Sequence, residues 1–279
     1  MFLVTGANGQ LGQELRLLLG DRAEYAGHTE LDITDEAAVS AFFAARKVDA
    51  VINCAAYTAV DKAEDDAETA DRANRVGPEL LARYGRNIIQ ISTDYVFDGT
   101  AHLPYRESDA PNPVSVYGRT KLAGEEAALA EADTAIVIRT AWVYSSFGNN
   151  FVKTMRRLGA QRESLGVVFD QVGTPTYAAD LAAAIVAVLP QITPGTKEIY
   201  HYSNEGVTSW YDFACAIMEM SGLPCTVRPI ESVEYPTRAA RPAYSVLNKA
   251  KIKKDFGLSI PHWWDGVKMC IQKLEDFRG

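Results

Sequence analysis

The stretch Thr5-Gly6-Ala7-Asn8-Gly9-Gln10-Leu11-Gly12 joins a short apolar run, Phe2–Val4, to a segment, Leu11–Leu19, whose apolar residues recur at helical spacing. Its glycines follow the pattern G-x-x-G-x-x-G, a variant of the G-x-G-x-x-G fingerprint. Glycine permits a turn that other residues resist, and it lets a phosphate approach the backbone N–H groups at the start of a helix. The stretch therefore predicts a strand, a tight turn and a helix that bind the pyrophosphate of a dinucleotide, although an ordinary glycine-rich βα turn could carry the same spacing.

The composition is that of a globular protein, with 279 residues, 47% of them hydrophobic and 23% charged. The net charge of −8 argues against nucleic acid or an anionic membrane as a partner. The longest apolar run, Leu181–Leu189, is shorter than the ~18 residues of a membrane span and indicates a buried helix. The four cysteines and four histidines lack metal-ligand spacing, so we expect neither a metal site nor a disulfide. Because the first predicted strand begins at Phe2, we expect no leader segment and a cytoplasmic protein.

Strand-like runs alternate with helical patterns, which predicts right-handed βαβ crossovers and an α/β fold. We expect a Rossmann-type doubly wound parallel sheet with a smaller, mostly C-terminal substrate-binding lobe. Residues 1–141 would form the dinucleotide-binding domain, with returning segments near 167–203, and residues 142–279 would be mostly the interleaved lobe. The strand-like runs are Phe2–Val4, Glu24–His28, Ala50–Asn53, Ile88–Ser92, Ala135–Arg139 and Ile199–Tyr202; the helical ones include Glu36–Arg46, Ala67–Tyr84, Lys121–Ala130 and Trp210–Ser221.

Tyr117 and Lys121 are four residues apart, so on a helix their side chains share one face. A free tyrosine has a pKa near 10, and we expect the lysine cation to lower the pKa of Tyr117 toward neutrality. Such a tyrosine would protonate a carbonyl oxygen as hydride reaches its carbon, and the hydroxyl of Thr93 would hold the same oxygen. A surface tyrosine beside a helical lysine would show the same spacing. The combination with the glycine turn favours a reductase.

These motifs resemble those of the extended short-chain dehydrogenase/reductase superfamily, and the local sequences are similar to the dTDP-4-dehydrorhamnose reductase family within it. The similar segments run through nearly the whole chain: Asn53–Glu64, Ser92–Gly99, Tyr117–Glu125, Arg139–Tyr144, Gly148–Phe151, Asp170–Thr176, Arg241-Pro242 and Leu247-Asn248.

The resemblance implies that a nicotinamide hydride reduces the C4 ketone of dTDP-4-dehydro-L-rhamnose to give dTDP-L-rhamnose. It maps the family's catalytic residues to Thr93, Tyr117 and Lys121, with Lys121 also bonding the nicotinamide ribose. Around them, the candidate cofactor residues are Gly6, Gly9, Gln10, Leu11, Gly12, Asp32, Ile33, Ala55, Ala56, Tyr57, Tyr117 and Lys121. The candidate substrate residues are Thr93, Asp94, Trp142, Asn149, Asn150, Arg238 and Arg241.

The two arginines are chosen because a dTDP-sugar carries a diphosphate, for which arginine is the natural bidentate partner; Lys153 and Arg156 are further candidates. The second predicted strand, Glu24–His28, ends in neither an acidic residue that would grip a ribose hydroxyl nor an arginine that would take a 2′-phosphate. We expect NADPH as cofactor, with NADH tolerated. Some relatives dimerise around Mg²⁺, but no acidic cluster here supports that site, so the chain is expected to be a monomer or a homodimer.

Two other classes remain open at this stage. A non-catalytic NADP-binding regulatory subunit shares the fold, although the intact set Thr93, Tyr117 and Lys121 argues against binding alone. A sugar-nucleotide epimerase or dehydratase shares both motifs. A dehydratase would need a pair of acidic residues after the threonine, and here Asp94 is followed by Tyr95.

Overall fold

The structure is a computed structural model that describes residues 1–276. Its centre is a six-stranded sheet in the order β2-β1-β3-β4-β5-β10, with every neighbouring pair parallel. The chain leaves β1 for β2 on one side and later returns to place β3 on the other, so the ligand crevice is expected at the carboxyl ends of these strands. The strands are β1 Phe2–Thr5, β2 Ala23–Ala26, β3 Ala50–Asn53, β4 Asn87–Thr93, β5 Thr134–Thr140, β6 Val143–Tyr144, β7 Ser164–Val168, β8 Val172–Gly173, β9 Thr176–Tyr177, β10 Lys197–His201, β11 Thr208–Ser209 and β12 Thr226–Ile230.

Helices cover both faces of the central sheet, and α4 continues through a π-helical turn, Arg72–Val76, into α5. Helices α1 and α8 pack on one face against Val4 and Ile52, and α2, α5 and α6 pack on the other against Leu3 and Val51. Consecutive strand residues are thus buried on opposite faces, which explains the continuous apolar runs. The helices are α1 Gln10–Leu19, α2 Glu36–Ala44, α3 Val60–Ala63, α4 Ala67–Asp71, α5 Gly77–Gly85, α6 Val116–Glu131, α7 Phe151–Gly159, α8 Ala178–Val188, α9 Trp210–Met220, α10 Ala250–Phe256 and α11 Trp263–Asp276.

The smaller lobe has its own apolar core, built on α7, α9 and α11 with residues such as Val152, Phe213 and Val267. Three short strand pairs accompany it: β6 with β9, β7 with β12, and β8 with β11. Helix α8 packs on the central sheet and β10 pairs with β5, whereas β7 to β9 pair within the lobe. Helix α10 also returns to the central sheet, because Ile252 packs in the same core as α8.

A buried carboxylate ties the two lobes together. Glu14 of α1 accepts a hydrogen bond from Ser145 Oγ at 2.6 Å and pairs with Lys273 Nζ of α11 at 3.0 Å. The side chain of Glu14 is almost fully enclosed, so the pair is screened less than a surface ion pair would be. This contact fixes the helix behind the glycine turn against the smaller lobe. Across residues 1–276, none of the helices has the length and apolar character needed to cross a bilayer.

Candidate active site

A cleft of about 1070 Å³ lies at the carboxyl ends of the central strands. The glycine turn, the segments after β3 and β4, and the first turns of α6 form its walls on the sheet side. Trp142 and Trp210 close it from the smaller lobe. Its position is the switch-point crevice in which open α/β sheets bind their ligands.

The glycine turn presents bare backbone to this cleft. Gly6 has a φ of +64°, and a Cβ there would stand 2.5 Å from the backbone N of Ala55. Gly9 caps α1 without a side-chain hydrogen bond, and the first turn of α1 contains no acidic residue. A helix start of this kind offers free N–H groups and a positive dipole end, so the residues present fit a dinucleotide pyrophosphate.

Gly12 does not line the cleft, unlike the other cofactor candidates of the turn, Gly6, Gly9, Gln10 and Leu11. A Cβ on Gly12 would lie 2.5 Å from the carbonyl oxygen of Gly6. Gly12 therefore lets α1 pack closely on the turn, and a contact of Gly12 with the cofactor stays a prediction.

Tyr117, Lys121 and Thr93 meet in the cleft. Helix α6 begins after Ser115, whose hydroxyl accepts a hydrogen bond from the N–H of Gly118 at 3.1 Å. A Cβ on Gly118 would stand 2.2 Å from the carbonyl oxygen of Tyr95, so the helix start packs directly on the turn that follows β4. This close packing brings the phenol of Tyr117 to the hydroxyl of Thr93.

Burial shifts the pKa values of Tyr117 and Lys121 in opposite directions. It raises the pKa of Tyr117, while the contact with Thr93 acts in the opposite direction. Burial also lowers the pKa of Lys121 to about 8, with Glu125 opposing it. The ammonium of Lys121 donates to the carbonyl oxygen of Ile91 at 2.6 Å. In this structure burial of the phenol raises the pKa of Tyr117, and a lowering of that pKa by Lys121 stays a prediction for the site with its cofactor bound.

A second carboxyl lies beside these groups. Asp94 is buried, and burial raises its pKa to about 6. Its Oδ1 accepts a hydrogen bond from Thr93 Oγ1 at 3.0 Å, and the residue lines the cleft. Asp94 is thus placed to contact a substrate bound at Thr93.

Asp32, Ile33, Ala55 and Ala56, which the resemblance proposes as cofactor residues, also line the cleft. The Oδ1 of Asp32 accepts bonds from the backbone N and the hydroxyl of Thr34.

Tyr57, also expected to contact the cofactor, does not line the cleft. Its backbone N–H donates to Asn74 Oδ1 at 2.8 Å, and its hydroxyl reaches toward Asp66. A contact between Tyr57 and the cofactor therefore stays a prediction.

Two residues that the sequence did not single out also line the cleft beside Asp32 and Thr34, His28 and Arg72. Arg72 Nη2 donates to Thr34 Oγ1 at 3.2 Å, and His28 Nδ1 is 4.0 Å from the carboxylate of Asp32. Arg72 opens the π-helical turn, and π-helical turns occur frequently at functional sites.

Two tryptophans form the wall of the smaller lobe. Trp142 and Trp210 stack with ring centroids 3.6 Å apart and planes 9° from parallel, and Trp142 has a φ of 49°. Trp142 was predicted from the resemblance, whereas Trp210 was missed because a tryptophan at the start of a helix carries no site signature. The stacked pair offers a flat apolar face to a sugar or a base.

Asn149 lines the cleft, but Asn150 does not. Asn150 caps α7, and its Nδ2 donates to Gln10 Oε1 at 2.9 Å. Asn150 therefore serves as a helix cap and links the two lobes, and its contact with the substrate stays a prediction.

Both arginines predicted for the diphosphate are paired with carboxylates. Arg238 pairs with Asp65 at 2.8 Å and Arg241 with Asp61 at 2.7 Å. The acidic residues around α3 thus pair with both guanidinium groups, and the assignment of the two arginines to the substrate diphosphate stays a prediction. Likewise, Lys153 donates to a backbone carbonyl and Arg156 pairs with a glutamate. In the part of the chain that the structure describes, no three His, Cys, Asp or Glu side chains gather as metal ligands would.

These positions define the class of protein. A Rossmann-type parallel sheet, a bare glycine turn at its switch point and a Tyr-x-x-x-Lys helix facing the same cleft are the features of an extended short-chain dehydrogenase/reductase.

Comparison with known proteins narrows the class to a family. A family model described as "RmlD substrate binding domain" matches residues 1–276. A protein named dTDP-4-dehydrorhamnose reductase from Mycolicibacterium smegmatis is 47% identical over 284 residues, covering 96% of this chain and 84% of that protein. The chain therefore belongs to the RmlD substrate binding domain family, and the resemblance stated from the motifs is confirmed.

Two solved structures are similar to this chain in both sequence and fold. A dTDP-4-dehydrorhamnose reductase from Clostridium acetobutylicum is 42% identical with a TM-score of 0.94, covering 98% of this chain and 99% of that one. A dTDP-4-dehydrorhamnose reductase from Bacillus anthracis, solved in complex with NADP, is 35% identical with a TM-score of 0.93 and covers 98% of both chains. The α/β Rossmann-type fold expected from the sequence is thus confirmed.

Proposed function

We propose that this protein is an NADPH-dependent reductase that converts dTDP-4-dehydro-L-rhamnose into dTDP-L-rhamnose, the last step in making that sugar nucleotide. The observation that carries the proposal is the convergence of Thr93, Tyr117 and Lys121 opposite the glycine turn. Relatives named for this reaction match nearly the full chain. We also propose that it acts in the cytoplasm as a monomer or homodimer and binds neither nucleic acid nor membrane.

The proposed chemistry assigns one task to each side chain. The nicotinamide, when bound, supplies the hydride. Tyr117 gives its proton to the ketone oxygen, and because burial raises its pKa the phenol is protonated at neutral pH. Thr93 holds that oxygen through its hydroxyl. Lys121 in its charged form stabilises the phenolate that remains, which is worth most in a buried site.

The stacked tryptophans and Asp94 would hold the deoxysugar. Trp142 and Trp210 provide a flat face for the sugar ring, and Asp94 lies next to Thr93. Asp94 is followed by Tyr95, so the site lacks the second carboxylate that a dehydratase would use for β-elimination. This favours reduction over elimination.

The assay that tests the function follows loss of NADPH absorbance with dTDP-4-dehydro-L-rhamnose made in situ by the upstream dehydratase and epimerase. We expect oxidation that requires both upstream enzymes and yields dTDP-L-rhamnose. Oxidation with a stereoisomeric 4-ketosugar alone would change the substrate but not the reaction class. Tight NADPH binding without turnover on any of these sugars would instead support a regulatory subunit.

Cofactor choice gives a separate prediction, on Arg72. We expect Arg72→Gln to weaken NADPH binding about tenfold while leaving NADH binding nearly unchanged. The guanidinium lines the cleft beside Asp32 and Thr34, β2 ends without a carboxylate, and a charged hydrogen bond to a 2′-phosphate is worth about 1.5–3 kcal/mol. Dissociation constants measured by protein fluorescence without sugar substrate check this.

The matched control is Arg75→Gln, on the same π-helical turn. Arg75 pairs with Asp71 and Glu79 and does not line the cleft. Equal losses for both cofactors in Arg72→Gln, or equal effects in the two variants, would remove Arg72 from cofactor selection.

A further inference from the structure

We propose that Glu125 is a positioning residue for the reaction assigned above. Through Ser92 and Arg139 it fixes α6 against the carboxyl ends of β4 and β5, and so places Tyr117 and Lys121 opposite Thr93. This inference rests on the proposed function, which makes that geometry the catalytic one.

The carboxylate of Glu125 is buried and accepts hydrogen bonds from two side chains. Arg139 Nε lies 2.9 Å and 3.1 Å from the two carboxylate oxygens, and Arg139 Nη2 lies 2.7 Å from Oε2. Ser92 Oγ donates to Oε1 at 2.5 Å. The side chains of Glu125 and Arg139 are 1% and 2% exposed. The guanidinium also lies over the ring of Phe97, 5.1 Å from its centroid.

Each partner of Glu125 is next to a residue of the site. Ser92 precedes Thr93, and Ile91, whose carbonyl holds the Lys121 ammonium, precedes Ser92. Arg139 precedes Thr140, which lines the cleft. Glu125 itself lies one helical turn beyond Lys121, on the same face of α6. One carboxylate therefore cross-links the three elements that carry the site.

A gain in folding stability does not explain why the Glu125–Arg139 ion pair is buried. Taking both charges out of water costs several kcal/mol per ion, and well-packed apolar residues of similar volume often do as well or better. What the pair provides instead is a single arrangement of the three elements, because only one geometry satisfies the fork of Arg139 and the hydroxyl of Ser92 together.

Glu125 also affects the charge of Lys121. Burial lowers the pKa of Lys121, and the carboxylate of Glu125 opposes that effect. From the other elements, Cys54 after β3 faces the ammonium with a pKa raised by burial to about 12, and β4 contributes the carbonyl of Ile91. Arg139, on β5, is paired with Glu125 itself. The carboxylate is thus the one anion, among the described residues, that keeps the ammonium charged.

The first test measures NADP⁺ affinity against pH by tryptophan fluorescence, in wild type and Glu125→Gln, without sugar substrate. Wild-type affinity is expected to fall as pH rises through the pKa of Lys121. In Glu125→Gln the pKa is lower, so the fall is expected about one pH unit earlier. The control is Glu126→Gln, an exposed neighbour on the same helix, which should keep the wild-type profile.

If Glu125→Gln does not fold, Glu125→Gln/Arg139→Gln removes both buried charges, and the shift is expected in the same direction but smaller, because the Arg139 cation is removed as well. A lowered melting temperature with an unchanged pH profile would mean that Glu125 is only structural, and would overturn the proposal. A shifted profile together with no ketosugar turnover by the wild type would instead defeat the proposed function and leave the electrostatic link intact.

The second test isolates the tie to β4. Ser92→Ala keeps the Arg139–Glu125 pair but removes the hydroxyl bond beside Thr93. We expect kcat to fall about three- to tenfold with KM changed less than twofold, since the reacting groups shift relative to one another after binding. An unchanged kcat would overturn the positioning role of that contact.

Discussion

Tyr117→Phe is expected to lower kcat by about two to four decades, which corresponds to about 2.7–5.4 kcal/mol of transition-state stabilisation. The change removes the phenolic hydroxyl and nothing else, so the ketone oxygen loses its proton donor while Thr93 and Lys121 remain. The edge-to-face contact between the rings of Tyr117 and Tyr95, 5.5 Å apart, is also kept. NADPH affinity should therefore stay within about twofold of wild type, measured by fluorescence beside the steady-state assay.

The informative comparison is Tyr95→Phe, because Tyr95 also lines the cleft. Burial raises the pKa of Tyr95 to about 12, and the guanidinium of Arg241 opposes that shift. Its hydroxyl is therefore engaged on the side of the 236–244 loop. Loss of turnover in Tyr95→Phe together with retained turnover in Tyr117→Phe would show that Tyr95, not Tyr117, is the proton donor. That outcome would contradict the roles assigned to α6.

The sequence predicted the elements that depend on local pattern. Strands such as Ile88–Ser92 were visible because they are buried on both faces and read as unbroken apolar runs. The glycine turn was visible because the close approach of Gly6 to Ala55 leaves no room for a side chain. Tyr117 and Lys121 were placed on one helix face by their spacing alone, and both lie in α6.

The sequence could not show the features that depend on contacts between residues far apart in the chain. Arg238 and Arg241 appeared free to bind a diphosphate, but Asp65 and Asp61, far earlier in the chain, hold them. Arg72 opens a π-helical turn and lines the cleft, and no motif in the sequence marks either feature. The direction of the Tyr117 pKa shift also depended on how deeply the phenol is buried, which the motif does not encode.

Gly124→Ala is the second large effect that we expect, with a loss of about 3 kcal/mol in the free energy of unfolding. A Cβ on Gly124 would stand 1.9 Å from the backbone carbonyl oxygen of Asn74, which cannot rotate away as a side chain would. Asn74 is itself fixed, since its side chain bonds the backbone of Tyr57 and the hydroxyl of Thr120. The methyl group must therefore push α6 away from the π-helical turn, and Tyr117 and Lys121 move with it.

Whether Gly124→Ala lowers or raises the free energy of unfolding distinguishes steric overlap from helix propensity. Helix propensity alone favours alanine over glycine by about 1 kcal/mol, so a stabilised Gly124→Ala would mean that α6 does not pack on Asn74 as closely as described. Gly166→Ala is the control, because a Cβ there meets only the movable side chain of Ile230 at 3.2 Å. Thermal unfolding should show a large fall in melting temperature for Gly124→Ala and a small change for Gly166→Ala. A fall in kcat of folded Gly124→Ala, at temperatures well below its unfolding, would tie the packing of this one glycine to the placement of the proton donor.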